Sequence, residues 1–167
     1  SFRVDGSNNF YPSRRWGFFP SFSAAWAMSN EEWFKEWKQD VLSNVKLRAS
    51  TGWLGNDGLV NSYSYLKTFQ ESTNFGYSHG GNFRPGLILT TGGFPNPALT
   101  WGRTHDWNFG LDLGFWGGRI SVTGEYYVRY ETDKITSAPD YIYPPSTGVE
   151  GNVPNINFAE LKAWGWD

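Results

Sequence analysis

The chain has 167 residues, a net charge of −2 and no cysteine, and aromatic residues make up 19% of it. The lack of cysteine excludes disulfides and thiolate metal sites, and the lack of a basic excess argues against nucleic acid as a partner. No apolar run approaches the ~18 residues that a membrane-spanning helix needs. A β-barrel stays open, because barrel strands alternate apolar and polar residues and so keep a low mean hydropathy, which here is −0.52.

The first third of the chain predicts three strands, because apolar and polar residues alternate with period two in three stretches. We expect one strand to end near Asp5, a second to cover residues 16–28 and a third to cover residues 45–53. Pro20 lies inside the second stretch and cannot donate a ladder hydrogen bond, which predicts a bulge or local distortion there.

A short helix is predicted between the second and third strands. Ser29 and Glu32 have the spacing of a capping box, in which a hydroxyl and a carboxylate satisfy free N–H groups at a helix start. Trp33, Trp37 and Val41 follow at helical spacing, so we expect a helix to about residue 40. Its tryptophans have two interpretations, an anchor at a membrane interface or packing beneath a turn.

Two longer stretches carry no predicted strand of membrane-spanning length. In residues 59–102 we expect only short pieces, 62–69 and 87–91, to pair locally, and so long a connection is usually functional or mobile. Residues 137–155 contain four prolines and predict a loop. Residues 156–167 look like a returning strand, with a period that Glu160 and Lys162 interrupt. Both ends of the chain look like strands in progress, so we expect a piece of a larger protein.

The most regular pattern predicts a β-hairpin over residues 104–135. Two runs of strict period two flank Gly117 and Gly118, a pair that suits a two-residue primed turn. This turn sets the register, and a slip by one residue would move every apolar side chain to the polar face. The predicted partners are Trp116 with Arg119, Phe115 with Ile120, Leu113 with Val122, Phe109 with Tyr126, Trp107 with Val128, Asp106 with Arg129, Asn108 with Tyr127 and Asp112 with Thr123.

Such a ribbon fits two classes of protein. In a soluble, aromatic-rich β-sandwich that binds carbohydrate, the apolar face packs on a core. In an outer-membrane barrel the apolar face contacts lipid and the polar face lines the lumen. Membrane strands need about 9–11 residues and soluble strands run about 5–6. The long alternation in both strands, with a tight turn at one end and a long loop at the other, favours the barrel.

Three motifs point to chemistry, and each has a simpler interpretation. Residues 76–80, GYSHG, match the G-x-S-x-G elbow of hydrolases, but the sequence after Ser78 is not helical as that elbow requires. His79 and His105 lack partners at metal-ligand spacing, and residues 56–58 lack the alternating acids of a calcium loop. We therefore expect no catalysis, metal or cofactor, and an α/β-hydrolase remains a third hypothesis that depends on one pentapeptide.

Six stretches, in order, match the pattern of one family. They are WGFFPSFSAAW at residues 16–26, LRASTGWLGND at 47–57, NPALTW at 96–101, NFGLDLGF at 108–115, RISVTGEYY at 119–127 and the final strand at 155–167. No single motif is specific, but their order and spacing cover nearly the whole chain. The chain resembles the SusC-like (RagA-type) TonB-dependent outer-membrane transporters of Bacteroidetes, in the C-terminal part of their barrel.

The resemblance implies an all-β fold, an antiparallel transmembrane β-barrel segment with about six long strands of a 22-stranded barrel. Residues 1–167 would be a partial barrel domain without its plug. Residues 6–15, 55–102 and 137–155 would be extracellular loops, whereas residues 29–44, with one short helix, and 116–119 would be periplasmic.

The resemblance also implies a function, the import of glycans, oligosaccharides or peptides across the outer membrane of a Gram-negative bacterium. The expected partners are a SusD-like surface lipoprotein, TonB through an N-terminal region, outer-membrane lipid and the oligosaccharide or peptide cargo. No nucleic acid and no cofactor are expected, and the protein would not be an enzyme.

Two groups of candidate site residues follow. Charged residues on the polar face would line the lumen or contact the plug, and pairing with one another, as Asp106 with Arg129, is their simpler role. These residues are Lys46, Arg48, Asp106, Glu125, Arg129 and Glu131. Aromatic loop residues would stack on sugar rings or touch the lipoprotein, and packing among the loops is their simpler role. These residues are Tyr63, Tyr65, Tyr77, Trp101, Tyr141 and Tyr143.

Overall fold

A computed structural model describes residues 1–37, 41–58, 60, 62–67, 69–89, 95–138, 142 and 153–167, with the backbone alone described at 36–37, 69–75 and 87–89. Over these residues the chain forms eight strands and one α-helix. They are β1 (Phe2–Gly6), β2 (Trp16–Ala27), α1 (Glu32–Trp37), β3 (Leu42–Asn56), β4 (Phe69–His79), β5 (Asn82–Leu89), β6 (Gly102–Phe115), β7 (Ile120–Ser137) and β8 (Asn155–Trp166).

Six strands form one antiparallel sheet in the order β1-β2-β3-β6-β7-β8, and β4 pairs with β5 in a separate ribbon. The predicted hairpin is confirmed as β6 and β7. All predicted pairs between Phe115–Ile120 at the turn and Asp106–Arg129 further along are present. The sheet has two ends. The loop end carries the described residues 7–15, 57–58 and 95–101, and the turn end carries residues 28–37 and 116–119.

The turn between β6 and β7 differs from the prediction in one pair. Gly117 and Gly118 have the left-handed φ values, 68° and 88°, that a primed turn requires. Trp116 is left-handed as well, at 48°, and its N–H donates to the carbonyl oxygen of Val41 at 2.8 Å. The ladder therefore ends one pair before the predicted partners Trp116 and Arg119.

One face of the six-stranded sheet is apolar and uncovered. Near its centre Phe109, Leu111, Val122 and Tyr126 are 38–50% exposed. No second layer of the described chain packs over them, whereas a soluble sandwich would bury them between two sheets. The sandwich alternative is therefore wrong for this part of the chain. None of the helical segments that the structure describes has the length and apolar character needed to cross a bilayer.

The helix between β2 and β3 begins later than predicted. α1 starts at Glu32, and Ser29 lies in the 3-10 turn before it. The Ser29 hydroxyl donates to Oδ1 of Asn44 on β3 at 2.8 Å. The predicted capping box is wrong, because Ser29 lies inside the 3-10 turn and not at the residue that precedes α1. The predicted end of the helix near residue 40 lies outside the described residues.

The long connection before β6 contains a β-ribbon that was not predicted from the sequence. β4 has 11 residues, and its ladder with β5 runs from Phe69–Leu89 to His79–Asn82. The expectation of no long strand here is wrong, and residues 62–66 form turns instead of a strand. Because the ribbon packs on no larger sheet of the described chain, no buried face imposes a period of two on its sequence.

Pro20 does not shift the register. β2 pairs with β1 through Pro20 and with β3 from Ser21 onward. The proline thus lies where the strand changes neighbours, and the expectation of a bulge there is wrong. The missing N–H is tolerated because the pairing with β3 begins at the next residue.

Most of the buried apolar residues that the structure describes gather at the loop end. The loop-end cluster consists of Phe10, Phe19, Val60, Leu99, Trp101 and Ile135, with Trp53 packed against it. Phe19 lies over the backbone of two strands, since a Cβ added to Gly17 or Gly55 would come within 2.4 or 2.1 Å of its ring. Glycine at both positions gives this ring the space it occupies.

Candidate functional site

The charged residues of the polar face form ion pairs across strands. Arg48 on β3 donates through Nε and Nη2 to the two carboxylate oxygens of Asp112 on β6, at 2.9 and 3.1 Å. The same Nη2 donates to Oε1 of Glu125 on β7 at 2.7 Å. The hydroxyl of Thr123 adds a bond of 3.1 Å to Asp112. One arginine therefore joins two carboxylates on successive strands.

Arg48 reaches Glu125 because Gly110 lies between them. The three residues are register partners on β3, β6 and β7. A Cβ at Gly110 would lie 3.0 Å from Cζ of Arg48, so any larger residue would push the guanidinium away. This role of Gly110 was not predicted from the sequence. The signal that could have shown it is a glycine whose partners on the two neighbouring strands, Arg48 and Glu125, carry opposite charges.

A second ion pair lies nearer the loop end. Arg129 donates through Nε and Nη2 to both oxygens of Asp106, at 2.7 and 3.1 Å, which confirms the predicted pairing. Lys134 Nζ lies 2.8 Å from Oε2 of Glu131. The side chains of these pairs and of the Arg48 group keep 23–49% of their surface exposed, so water screens their attraction.

The register places all six predicted charged residues on this one polar face. They are Lys46, Arg48, Asp106, Glu125, Arg129 and Glu131. The arrangement leaves a water-accessible surface on which positive and negative groups largely balance. Lys46 is the register partner of Asp112, so its charge also faces a carboxylate.

An amide network fixes residues 96–101 to the loop end of the sheet. Oδ1 of Asn157 accepts the N–H of Thr100 at 2.9 Å, and Nδ2 donates to the carbonyl oxygens of Thr100 and Asp133 at 2.9 and 2.7 Å. Nδ2 of Asn96 donates to the carbonyl oxygen of Asn155 at 2.8 Å. These bonds replace β pairing for a segment that belongs to no strand.

Trp101 is part of this anchorage. Its side chain is 7% exposed, its indole N–H donates to the carbonyl oxygen of Arg15 at 3.1 Å, and its ring packs against Phe10 and Phe19 at centroid distances of 5.3 and 5.5 Å. A role in contacting cargo or partner does not fit this enclosed position. Packing among the loops, the simpler role, fits it.

The described loop tyrosines lie at the surface in two places. Tyr63 is 52% exposed, and the centre of its ring lies 6.3 Å from that of Tyr65. The ring of Tyr65 packs edge-on against Tyr11, with 5.7 Å between the ring centres. Tyr77 is 64% exposed and lies on β4 in the separate ribbon. The other two predicted contact residues, Tyr141 and Tyr143, lie outside the described residues.

The GYSHG pentapeptide does not form a nucleophile elbow. Ser78 pairs with Phe83 and His79 with Asn82 across the β4–β5 ladder. A strand therefore follows the turn after Ser78, whereas the elbow places its serine between a strand and a helix. The hydrolase hypothesis has no geometric support.

These features define a class of protein. Five of the six strands in the sheet have 12 to 18 residues, one face is apolar and exposed, and the other is charged and wet. A membrane barrel requires this combination, because lipid covers the outer face and hydrogen bonds must satisfy the backbone within the sheet. The chain is a segment of an antiparallel outer-membrane β-barrel.

Comparisons with known proteins narrow the class. No protein-family model matches the chain. The chain is 32% identical over 170 residues to the TonB-dependent receptor SusC of Bacteroides thetaiotaomicron, covering 99% of this chain and 16% of that receptor. It is 30% identical over 162 residues to the TonB-dependent receptor P26 of Formosa agariphila, covering 97% and 15%. A chain of the RagAB peptide importer in its closed-closed state superposes with a TM-score of 0.80 at 25% identity, covering 99% and 16%.

The resemblance predicted from the sequence is thereby confirmed: over nearly its whole length the chain is similar to one segment of the SusC-like TonB-dependent receptors of the bacterial outer membrane. The relatives carry the names of receptors and of an importer, not of enzymes. The chain spans 16% or less of the length of these two curated relatives.

Proposed function

We propose that this chain forms part of the barrel of a TonB-dependent importer that takes up oligosaccharides or peptides together with a SusD-like surface lipoprotein. The observation that carries the proposal is the single-layer sheet with an uncovered apolar face and an ion-paired polar face. Residues 1–167 are then a partial barrel domain, within a barrel of about 22 strands that encloses a plug.

In this proposal the ion-paired face looks into the lumen. Arg48 and Arg129 hold their carboxylate partners within 2.7–3.1 Å, and balanced pairs keep the inner surface from attracting one sign of charge strongly. Such a surface lets a plug pack against it, or a neutral cargo move past it, with little electrostatic cost. The six predicted charged residues therefore act as lining, with contacts to the plug where it approaches.

The exposed tyrosines supply candidate contacts at the loop end. Tyr63 and Tyr77 present more than half of their surfaces, and a phenol ring offers an apolar face together with a hydroxyl that hydrogen-bonds. That chemistry suits both sugar rings and peptide side chains, as well as the surface of a lipoprotein. The structural relative RagAB is a peptide importer, which supports peptides beside oligosaccharides as the cargo class.

The orientation of the two faces is tested by moving one charge across the sheet. In the intact receptor Phe109→Arg places a guanidinium on the apolar face, whereas the neighbouring Asn108→Arg places it on the polar face. An arginine facing lipid near the bilayer centre costs about 2–4 kcal/mol. We expect Phe109→Arg to reduce the amount of receptor assembled in the outer membrane and Asn108→Arg to leave it near the wild-type level. Equal assembly of both variants would refute the proposed orientation.

Cargo and partner are tested by uptake. Cells that lack the receptor gene, complemented with the wild-type gene, are grown on oligosaccharides or on peptides as the limiting nutrient. We expect growth on one of the two classes to depend on the receptor, on TonB and on the lipoprotein encoded beside it. Growth that is indifferent to the receptor on both classes, or to TonB, would overturn the import proposal.

A further inference from the structure

We infer that three tyrosines at the loop end form one binding site for the neutral sugar rings of an oligosaccharide. We name this surface the tyrosine patch, and it consists of Tyr11, Tyr63 and Tyr65. The inference rests on the proposed import function and narrows its cargo class to neutral oligosaccharides. It joins two of the predicted contact residues to Tyr11, which the sequence pattern did not indicate.

The patch is one continuous aromatic surface built from two segments that lie far apart in the sequence. The ring of Tyr65 contacts both of the others, edge-on to Tyr11 with 5.7 Å between the ring centres and tilted to Tyr63 with 6.3 Å between them. Tyr11 and Tyr63 keep 46% and 52% of their surfaces exposed, whereas Tyr65 is half-buried. A ligand on the patch therefore meets two open rings that a third ring supports.

A set of hydrogen bonds to Asp57 holds the two segments together. The hydroxyl of Ser7 and Nδ2 of Asn9 both donate to Oδ2 of Asp57, at 2.5 and 3.1 Å. The N–H of Val60 donates to the carbonyl oxygen of Asp57 at 3.2 Å. Phe10 and Val60 are both buried in the loop-end cluster. The chain is thus fixed just before each part of the patch, so a ligand has little conformational freedom to remove when it binds.

Tyr63 has a backbone conformation that a large side chain rarely adopts. Its φ is 62°, in the left-handed region that glycine enters without steric cost. The carbonyl oxygen of Tyr63 accepts the N–H of Leu66 at 2.8 Å, so a turn holds the residue there. Backbone strain of this kind concentrates at functional sites. Because half of the Tyr63 side chain remains exposed, packing alone returns little for that strain, and a ligand on the ring accounts for it better.

The chemistry of the patch favours a neutral sugar over a charged peptide. Residues 10–13 and 62–66 contain three serines, three tyrosines and no charged residue. The guanidinium of the neighbouring Arg14 donates to the carbonyl oxygen of Ala98 at 2.9 Å. Phenol rings offer an apolar face to the C–H groups of a sugar, and hydroxyls both donate and accept hydrogen bonds, as sugar hydroxyls do. A charged peptide group would find no partner of opposite sign among these residues.

Ligand binding by the intact receptor in detergent tests the inference. The probes are an array of neutral oligosaccharides, an array of oligosaccharides that contain uronic acids, and the peptides of a tryptic digest of casein. We expect a neutral oligosaccharide to bind, and Tyr63→Gly to weaken its binding roughly fivefold, the scale of one aromatic contact. Glycine suits the left-handed turn, so this variant removes the ring without straining the backbone. Tyr63→Phe keeps the ring and should bind nearly as well as the wild type.

Trp116→Gly provides the matched control. Trp116 is also 52% exposed and left-handed, with a φ of 48°, but it lies at the turn end, so its replacement should leave sugar binding unchanged. Tyr11→Ala tests the patch again if the variant at position 63 does not assemble, and it should weaken binding to a similar extent.

Several results would overturn the inference. They are the absence of binding to any neutral oligosaccharide, binding that Tyr63→Gly leaves unchanged, and an equal loss in the Trp116→Gly control. Release of the lipoprotein by Tyr63→Gly, with sugar binding intact, would assign the patch to a protein contact instead. The proposed import function fails separately, through growth that does not depend on the receptor.

Discussion

Replacing Gly55 by alanine tests how closely the loop-end cluster is packed. The added Cβ would lie 2.1 Å from Cζ of Phe19, whereas an ordinary contact is 3.4–4 Å. Phe19 is 5% exposed and packs against Trp101 on another side, so its ring has little room to withdraw. Overpacking of this kind costs about 1–3 kcal/mol, and we expect the free energy of unfolding to fall by about 2 kcal/mol.

The cause is isolated by combining the change with Phe19→Ala. Loss of a buried phenylalanine costs about 3–5 kcal/mol, but it also removes the ring that the new Cβ would strike. In the Phe19→Ala background we therefore expect Gly55→Ala to be nearly neutral, which makes the two changes non-additive by about 1–3 kcal/mol. Strictly additive costs would mean that the ring and the glycine do not interact.

The assay is equilibrium unfolding of the intact receptor by denaturant in lipid vesicles. Gly124→Ala provides the matched control, because it lies in β7 and its added Cβ meets its nearest atom at 3.9 Å. Alanine lowers the backbone entropy of the unfolded chain. A glycine-to-alanine change that the fold tolerates is therefore mildly stabilising, by about 0.5–1 kcal/mol. A Gly55→Ala variant as stable as this control would refute the packing described for Phe19.

Three other predictions concern the polar groups. Asn157→Ala removes three hydrogen bonds and should lower the free energy of unfolding by about 2–3 kcal/mol. Amide hydrogen exchange in residues 96–101 should become faster. Unchanged exchange there would contradict the anchoring role of Asn157. Arg48→Met leaves Asp112 and Glu125 without their shared cation. It should lower the free energy of unfolding by less than Asn157→Ala does, and the loss should shrink at high salt. A loss that does not depend on salt would point to packing. Ser78→Ala should leave any ester hydrolysis by the purified receptor unchanged, and loss of a measured rate would revive the hydrolase hypothesis.

The sequence alone determined where the long strands of the six-stranded sheet lie and how the two strands of the hairpin in residues 104–135 pair. In residues 104–135 a period of two has only one register that keeps apolar residues such as Phe109 and Tyr126 together, and the Gly117-Gly118 turn selects it. Because the apolar face contacts lipid along its whole length, every strand needs the same alternation of apolar and polar residues. This redundancy also made the pairing of Asp106 with Arg129 predictable from the sequence.

The tertiary structure decided what depends on a single contact between distant residues. Ser29 looked like a helix cap, but it lies in a 3-10 turn before α1, and its hydroxyl donates to Asn44, fifteen residues away. Trp101 looked like a surface contact until the arrangement of Phe10, Phe19 and Arg15 around it was known. Local patterns are repeated along a strand and survive one ambiguous residue, whereas a lone side chain has no such repetition, and only the folded chain shows which of its possible partners it meets.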